Sequence, residues 1–391
     1  MRLKQKLMFK KIVVASDSFK GSLTSLQVAD AVEQAVLHVC PSTVVVKVDV
    51  ADGGEGTMDA MCNTLGGRKI YVDVSDPLGR PITVPYVILD DGNTAVVEMA
   101  TASGLPLLSV DERNPLRTST YGTGQLIADA LERGCRKFLV GIGGSATNDA
   151  GMGMLEALGY KFLDKRGNVL SGCGLALSEV FSVDASSAVP SLAESEFIVA
   201  CDVDSPFYGP EGAACVFAPQ KGADPQMVQI LDQGLVSFAE AIRRFNGKDV
   251  SFIPGAGAAG GLGGGFVAFL NAKLESGAQM VLDAIGFDAL IQGADMIITG
   301  EGRVDFQTLT GKAPFGIARR AHKQGIPVIA IGGIVRISKE DAVEAGFDAV
   351  YQVTPADMPL QEAMKQDVAS ENVYRTTLKI LGCDIPVADD L

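Results

Sequence analysis

One supersecondary unit, spelled out between Lys11 and Val50, constrains the fold more than any other stretch of this chain. Residues 11–15 form an apolar run that reads as a strand. Thr24 and Gln27 then stand at capping-box spacing, and Val28, Ala31, Val32, Ala35, Val36 and Val39 recur at helical intervals until Pro41 stops them. A second apolar run, 44–50, completes a βαβ unit, and such a unit commits the chain to a parallel sheet covered by helices.

The same rhythm returns late, with predicted strands at 296–299, 328–331 and 349–353 and predicted helices at 313–324 and 339–345. The two chain ends are therefore expected to share one doubly wound sheet. Between them the texture changes to short mixed strands, such as 82–89 and 95–99, and three glycine-dense loops. A long helix is signalled there by Asp224 as cap, Pro225 in its first position and Gly247 after its last turn. At 391 residues the chain exceeds what one core usually organises, roughly 100–200 residues. The expected division is residues 1–77 plus 285–391 for the outer domain and 78–284 for an inserted α/β domain with a mixed sheet.

The net charge of −14 disfavours nucleic acid and anionic membranes as partners, since both demand clustered Lys and Arg. Seven cysteines without zinc-type or disulfide-framework spacing read as buried thiols of a reducing, cytoplasmic compartment. Residues 1–10 read as a loose basic extension, with Met8 an alternative translation start; the apolar run that follows is too short for a signal peptide. Only two histidines occur, His38 and His322, both inside predicted helices. Histidine-dependent triads and histidine-rich zinc sites are thereby set aside, and proton transfer falls to carboxylates or lysines.

Five loops carry the remaining chemistry. Residues 16–22 leave the first strand at its carboxyl end, where open α/β sheets bind ligands, and place Asp17 and Lys20 toward that crevice. Asp52-Gly53-Gly54-Glu55-Gly56-Thr57 follows the second strand, with Thr57 the expected helix cap and the carboxylates suited to a ligand or Mg²⁺. Residues 141–149 run from a strand at 137–140 toward a helix near Gly151, an anion cradle of backbone N–H groups; Gly143, Gly144 and Ser145 are its expected donors. This stretch also satisfies G-x-G-x-x-A with Asp164 downstream, which keeps a nicotinamide dehydrogenase in view, and a non-catalytic metabolite-binding protein is a third reading. Residues 254–265 repeat a glycine fingerprint behind a proline. The fifth loop, 299–305, sets Glu301, Arg303 and Asp305 close together, with Gly311-Lys312 ahead of the next helix; Phe306 occupies the place of a Walker glycine, which excludes a P-loop.

In this order the segments DSFKGSL (17–23), ADGGEGT (51–57), DPLGRP (76–81), RNPL (113–116), GIGGSATND (141–149), ACDV (200–203), APQKGA (218–223), PGAGAAGGLG (254–263) and TGEGRVD (299–305) closely resemble the bacterial glycerate kinases of the two-domain type. Ser16 stands where a proline is expected and Val304 where an isoleucine is. The resemblance implies ATP-dependent phosphorylation of D-glycerate with Mg²⁺, 2-phosphoglycerate being favoured over the 3-isomer. It further implies a flavodoxin-like (Rossmann-like) outer domain and an active site between the two domains, with small molecules as the only partners and a homodimer as an allowed assembly. On the matching motifs, Asp17, Lys20, Asp52, Asp202 and Arg303 are expected in catalysis, and Glu301 and Asp305 at the metal. Glu55, Arg80, Gly143, Gly144, Ser145, Asn148, Asp149, Lys221, Gly257, Gly260, Gly261 and Lys312 are expected to bind substrate or phosphate.

Overall fold

The computed structural model describes residues 9–51, 53–54, 56–306, 308 and 311–383. Asp52, Glu55 and most of the amino-terminal extension, including Met8, lie outside them. The chain divides into two compact units, one of residues 1–52 and 281–391, the other of residues 53–280.

The terminal unit opens with β1 (Lys11–Ser16), the helix Ser25–Val39 and β2 (Val44–Asp49). The capping box forms as its spacing predicts: Gln27 N–H donates to the Thr24 hydroxyl at 3.2 Å and Thr24 N–H to Gln27 Oε1 at 2.9 Å. The central unit follows with β3 (Gly67–Ser75), β4 (Pro81–Leu89), β5 (Thr94–Glu98), β6 (Lys137–Gly141), β7 (Lys161–Leu163), β8 (Val169–Leu170), β9 (Ser182–Asp184), β10 (Glu196–Ala200) and β11 (Lys273–Glu275). The terminal unit is completed by β12 (Met296–Val304), β13 (Val328–Val335), β14 (Ala349–Gln352) and the helix Gln366–Ile380.

In the terminal unit the strands are all parallel, in the order β2-β1-β12-β13-β14. Counted within the unit, this is the 2-1-3-4-5 order of flavodoxin-like sheets, whose topological switch point lies between β1 and β12. Ile12, Val13 and Val14 are wholly buried, as a strand covered on both faces requires. Ile12 and Val14 join Val28, Val32 and Val36 of the first helix, Ile298 of β12 and Val373 of the last helix in one core. Each such side chain contributes about 1.5–3 kcal/mol by leaving water.

The central unit holds a six-stranded mixed sheet, β11-β10-β6-β5-β4-β3, and a small sheet β8-β7-β9. Phe138 of β6 and its register partner Phe197 of β10 stack at 4.7 Å between ring centroids. The long helix Pro225–Asn246 has the predicted ends, with Asp224 accepting from Met227 N–H and Gly247 in the left-handed conformation. The boundaries between units differ from the expected cuts at 77 and 284. Strand β3 pairs along its whole length with β4, which draws residues 53–77 into the central unit. Nor is Thr57 a cap: Gly56 (φ +91°) holds that position, and the Thr57 hydroxyl donates to Gly54 O at 2.7 Å.

Candidate active site

At the switch point, Asp17 leaves β1 with its N–H donating to Gly300 O of β12 at 2.8 Å. Strand β12 runs further than the sequence predicts, through Val304, because Arg303 and Val304 stay in register with Ile334 and Val335 of β13. Glu301 and Arg303 therefore sit on one face of a strand rather than on a loop. A Cβ on Gly300 would stand 2.2 Å from Ile331 O, so the glycine admits the neighbouring strand.

Asp17, Lys20, Glu301, Arg303, Asp305 and Lys312 all line one pocket of about 430 Å³ at this carboxyl edge. Its lining also holds apolar residues, Val353, Leu360, Ala363 and Met364. Glu301 is buried; its Oε2 accepts from Lys312 Nζ at 2.9 Å, while its Oε1 is buried without a hydrogen-bond partner. Asp17 is also buried, with Oδ1 accepting from Ser18 N–H at 2.7 Å. Asp305 opens a turn in which its N–H donates to the Thr308 hydroxyl at 2.9 Å. Arg303 is exposed and makes no hydrogen bond or ion pair among the described residues. Among those residues no group of three or more His, Cys, Asp or Glu forms a metal cage.

In the central unit, residues 143–145 follow β6. The N–H groups of Gly143, Gly144 and Ser145 donate to nothing among the described residues, and both glycines are exposed. The expected cradle at a helix start is different in kind. The next helix, Met152–Ala157, is short, and its amino end is taken by Asp149, which accepts from Gly151 N–H and Gly153 N–H, each at 3.2 Å. Asp149 also accepts from the Thr120 N–H and hydroxyl, both at 2.8 Å, so it is a buried brace of this loop. Burial pushes its pKa up against those four hydrogen bonds.

Lys221 is 1% exposed, and its Nζ donates to Thr147 O at 2.6 Å. Burial lowers its pKa to about 7, with Asp149 pulling the other way. It grips the loop from within. Gly257, Gly260 and Gly261 are likewise packing residues: a Cβ on Gly257 would lie 2.1 Å from Pro206 O, one on Gly260 2.1 Å from Thr147 O, and one on Gly261 2.9 Å from Leu235. Arg80 is engaged by Asp76 and Glu112, each at 2.5 Å, and clamps the 76–80 turn. Asp202 is exposed at the end of β10 with Oδ1 accepting from Gly277 N–H at 3.0 Å. Both polar side-chain atoms of Asn148 are buried without a partner.

The model of the glycerate kinase family matches residues 12–383. The chain belongs to the glycerate kinase family. A glycerate kinase of Halalkalibacterium halodurans is 47% identical over 91% of this chain and 93% of its own length. A glycerate 2-kinase of Escherichia coli K12 is 42% identical over 95% and 97%. The crystal structure of a protein designated glycerate kinase 2, from Salmonella typhimurium LT2, superposes with a TM-score of 0.87 at 42% identity over 96% and 98% of the two chains. As a member of this family the chain is a kinase acting on small molecules. The dinucleotide reading of 141–146 loses its geometry: five residues separate Ala146 from the helix at Met152, and Asp164 is spent in the β7–β8 turn, accepting from Arg166 N–H and Asn168 N–H at 2.8 Å. No helix among the described residues is long and apolar enough to cross a membrane.

The apolar residues at 353–364, which follow the last recognisable motif, and the hold of Lys221 on Thr147 have no signature in the sequence. Lys221 stands there as a residue of the APQKGA motif expected to bind substrate or phosphate; its burial comes from packing.

Proposed function

We propose that this chain transfers the γ-phosphoryl group of ATP to O2 of D-glycerate, releasing ADP and 2-phosphoglycerate. The substrate hydroxyl oxygen forms the new P–O bond, the bond to the β-phosphate oxygen breaks, and the hydroxyl proton passes to a carboxylate. One observation carries the reading: the switch-point pocket gathers a buried acid with an unsatisfied oxygen, a guanidinium that makes no hydrogen bond or ion pair among the described residues, and Lys20 and Lys312. Phosphoryl transfer asks for this kind of charge neutralisation more than for covalent help. The name of the Escherichia coli relative supports the choice of O2.

Arg303, a planar fork, is suited to a carboxylate or phosphate, and Lys20 and Lys312 supply further positive charge. Asp17 is the pocket carboxylate proposed to take the hydroxyl proton; Asp52 and Asp202 belong to the same catalytic reading, and Glu55 to substrate or phosphate binding. Gly143, Gly144 and Ser145 offer N–H donors to an anionic group. Glu301 Oε1 fits a Mg²⁺ ion, since a buried carboxylate oxygen without a donor needs a cation or a hydroxyl, and Asp305 would join it; Mg²⁺ is usually held by one or two carboxylates and phosphates. When bound, the ion neutralises phosphate charge. Cytoplasmic residence belongs to this reading, supported by Cys62, Cys135, Cys173, Cys201, Cys215 and Cys383 carrying no disulfide.

The test is to incubate the purified chain with ATP, Mg²⁺ and D-glycerate and to identify the product by phosphorus NMR. ADP release with 2-phosphoglycerate is expected. A 3-phosphoglycerate product overturns the regiochemistry, and absence of ADP release overturns the kinase reading.

A further inference from the structure

We propose that the terminal unit's pocket is the adenine-nucleotide site, with the base against Val353, Leu360 and Met364 and the phosphates toward Lys312 and the amino end of the helix Ala313–Lys323. This assignment rests on the kinase reading above and adds which of the two substrates the pocket takes. Size speaks first. A cavity of about 430 Å³ lies within the range of roughly 300–1,000 Å³ that suits ligands much larger than a three-carbon acid.

Chemistry speaks second, because the lining is mixed. It carries Lys20, Arg303 and Lys312 together with Val353, Leu360, Ala363 and Met364. Glycerate has a hydroxyl or carboxylate oxygen on every carbon and gains nothing from apolar side chains, whereas a purine presents a flat apolar face at one end of a polyanion. A lining that offers both cations and apolar side chains matches a nucleotide, which presents both kinds of surface.

Two features then orient the nucleotide. The helix Ala313–Lys323 begins with Lys312 at its cap, and among the described residues no side chain caps it; with Pro314 lacking an N–H, the donors left for an anion are those of Ala313 and Phe315. Independently, Glu301 Oε1 is buried in the same lining without a donor. An anion that carries a cation satisfies both at once, the phosphate meeting Lys312 and the helix, the cation meeting Glu301. A metal-bound polyphosphate has that composition and free glycerate does not.

The test uses the full chain with Leu360→Asp and Met364→Asp, at positions 58% and 39% exposed, where the fold tolerates a carboxylate. Melting temperatures confirm folding. Calorimetry measures Mg·ADP affinity, and initial rates give the KM for ATP and for D-glycerate separately. The expected result is a loss of about five- to tenfold in Mg·ADP affinity and a matching rise in KM for ATP, the scale of one aliphatic contact, with KM for glycerate within about twofold. A rise in KM for glycerate with Mg·ADP affinity unchanged overturns the assignment, as does no change in either. Should the wild-type chain bind Mg·ADP in a Leu360- and Met364-dependent way yet leave glycerate untouched, the nucleotide site stands and the glycerate kinase reading falls.

Discussion

Lys221 and Thr147 are joined inside the central unit by a 2.6 Å hydrogen bond from the lysine Nζ to the threonine carbonyl, with the lysine 1% exposed. The loop that offers the N–H groups of residues 143–145 is thus held from beneath by a cation in a site that disfavours charge. Its folded pKa, about 7, lies well below the ordinary 10.5.

The sign of the resulting pH dependence follows. Below about pH 7 the lysine is charged in both states, and the native state bears the full cost of burying it. From about 7 to 10.5 the unfolded chain holds a proton the native state has lost, so stability rises with pH. Urea denaturation of the wild type and Lys221→Met at pH 6 to 9 isolates the effect. The wild type should gain on the variant by a slope approaching about 1.4 kcal/mol per pH unit above pH 7. A difference independent of pH would show that Lys221 keeps its charge in the fold.

Glu301 is the carboxylate with most to lose. Glu301→Gln keeps the shape but removes the charge that faces Lys312 at 2.9 Å and the oxygen proposed for the cation. A fall in kcat/KM of about 10²–10³ is expected, the scale of losing one preorganised electrostatic group, together with a raised Mg²⁺ requirement. Activity within about threefold of wild type, at saturating and limiting Mg²⁺ alike, would remove Glu301 from the reaction.

Arg303 makes no hydrogen bond or ion pair among the described residues, so its replacement should leave the melting temperature alone. Arg303→Lys keeps the charge and loses the fork; kcat/KM should drop by at least about tenfold, equivalent to about 1.4 kcal/mol. A lowered melting temperature with near-normal kinetics would mark the residue as structural.

The neighbouring glycines 143 and 144 should respond differently to alanine. A Cβ at Gly143 would meet only Gly54 Cα at 3.7 Å, so Gly143→Ala should change stability by less than about 0.5 kcal/mol and act on the Michaelis constants. Gly144 has φ +75°, where alanine costs about 1–2 kcal/mol, so Gly144→Ala should lower stability as well. Equal stability of the two variants, by chemical denaturation, would refute the conformational argument.

What the sequence determined by itself was local. The capping box at Thr24, the Asp224-to-Gly247 helix and the strands at 11, 44, 137, 296 and 328 follow from periodicity, caps and breakers, which act over a few residues and need no partner. The pocket residues 17, 20, 301, 303, 305 and 312 were legible because parallel strands deliver their carboxyl ends to one edge. Tertiary structure decided what each polar residue touches. It set Asp149, Lys221 and Arg80 in hydrogen bonds and ion pairs that brace their loops, and Gly257, Gly260 and Gly261 at points of close packing. It also continued β12 through Val304, since a strand's end depends on the partner beside it. The apolar residues at 353–364 are distant in the chain from Asp17, and only folding brings them together. Burial is a property of the assembled core, and it alone separates a lysine that meets phosphate from one that holds a carbonyl.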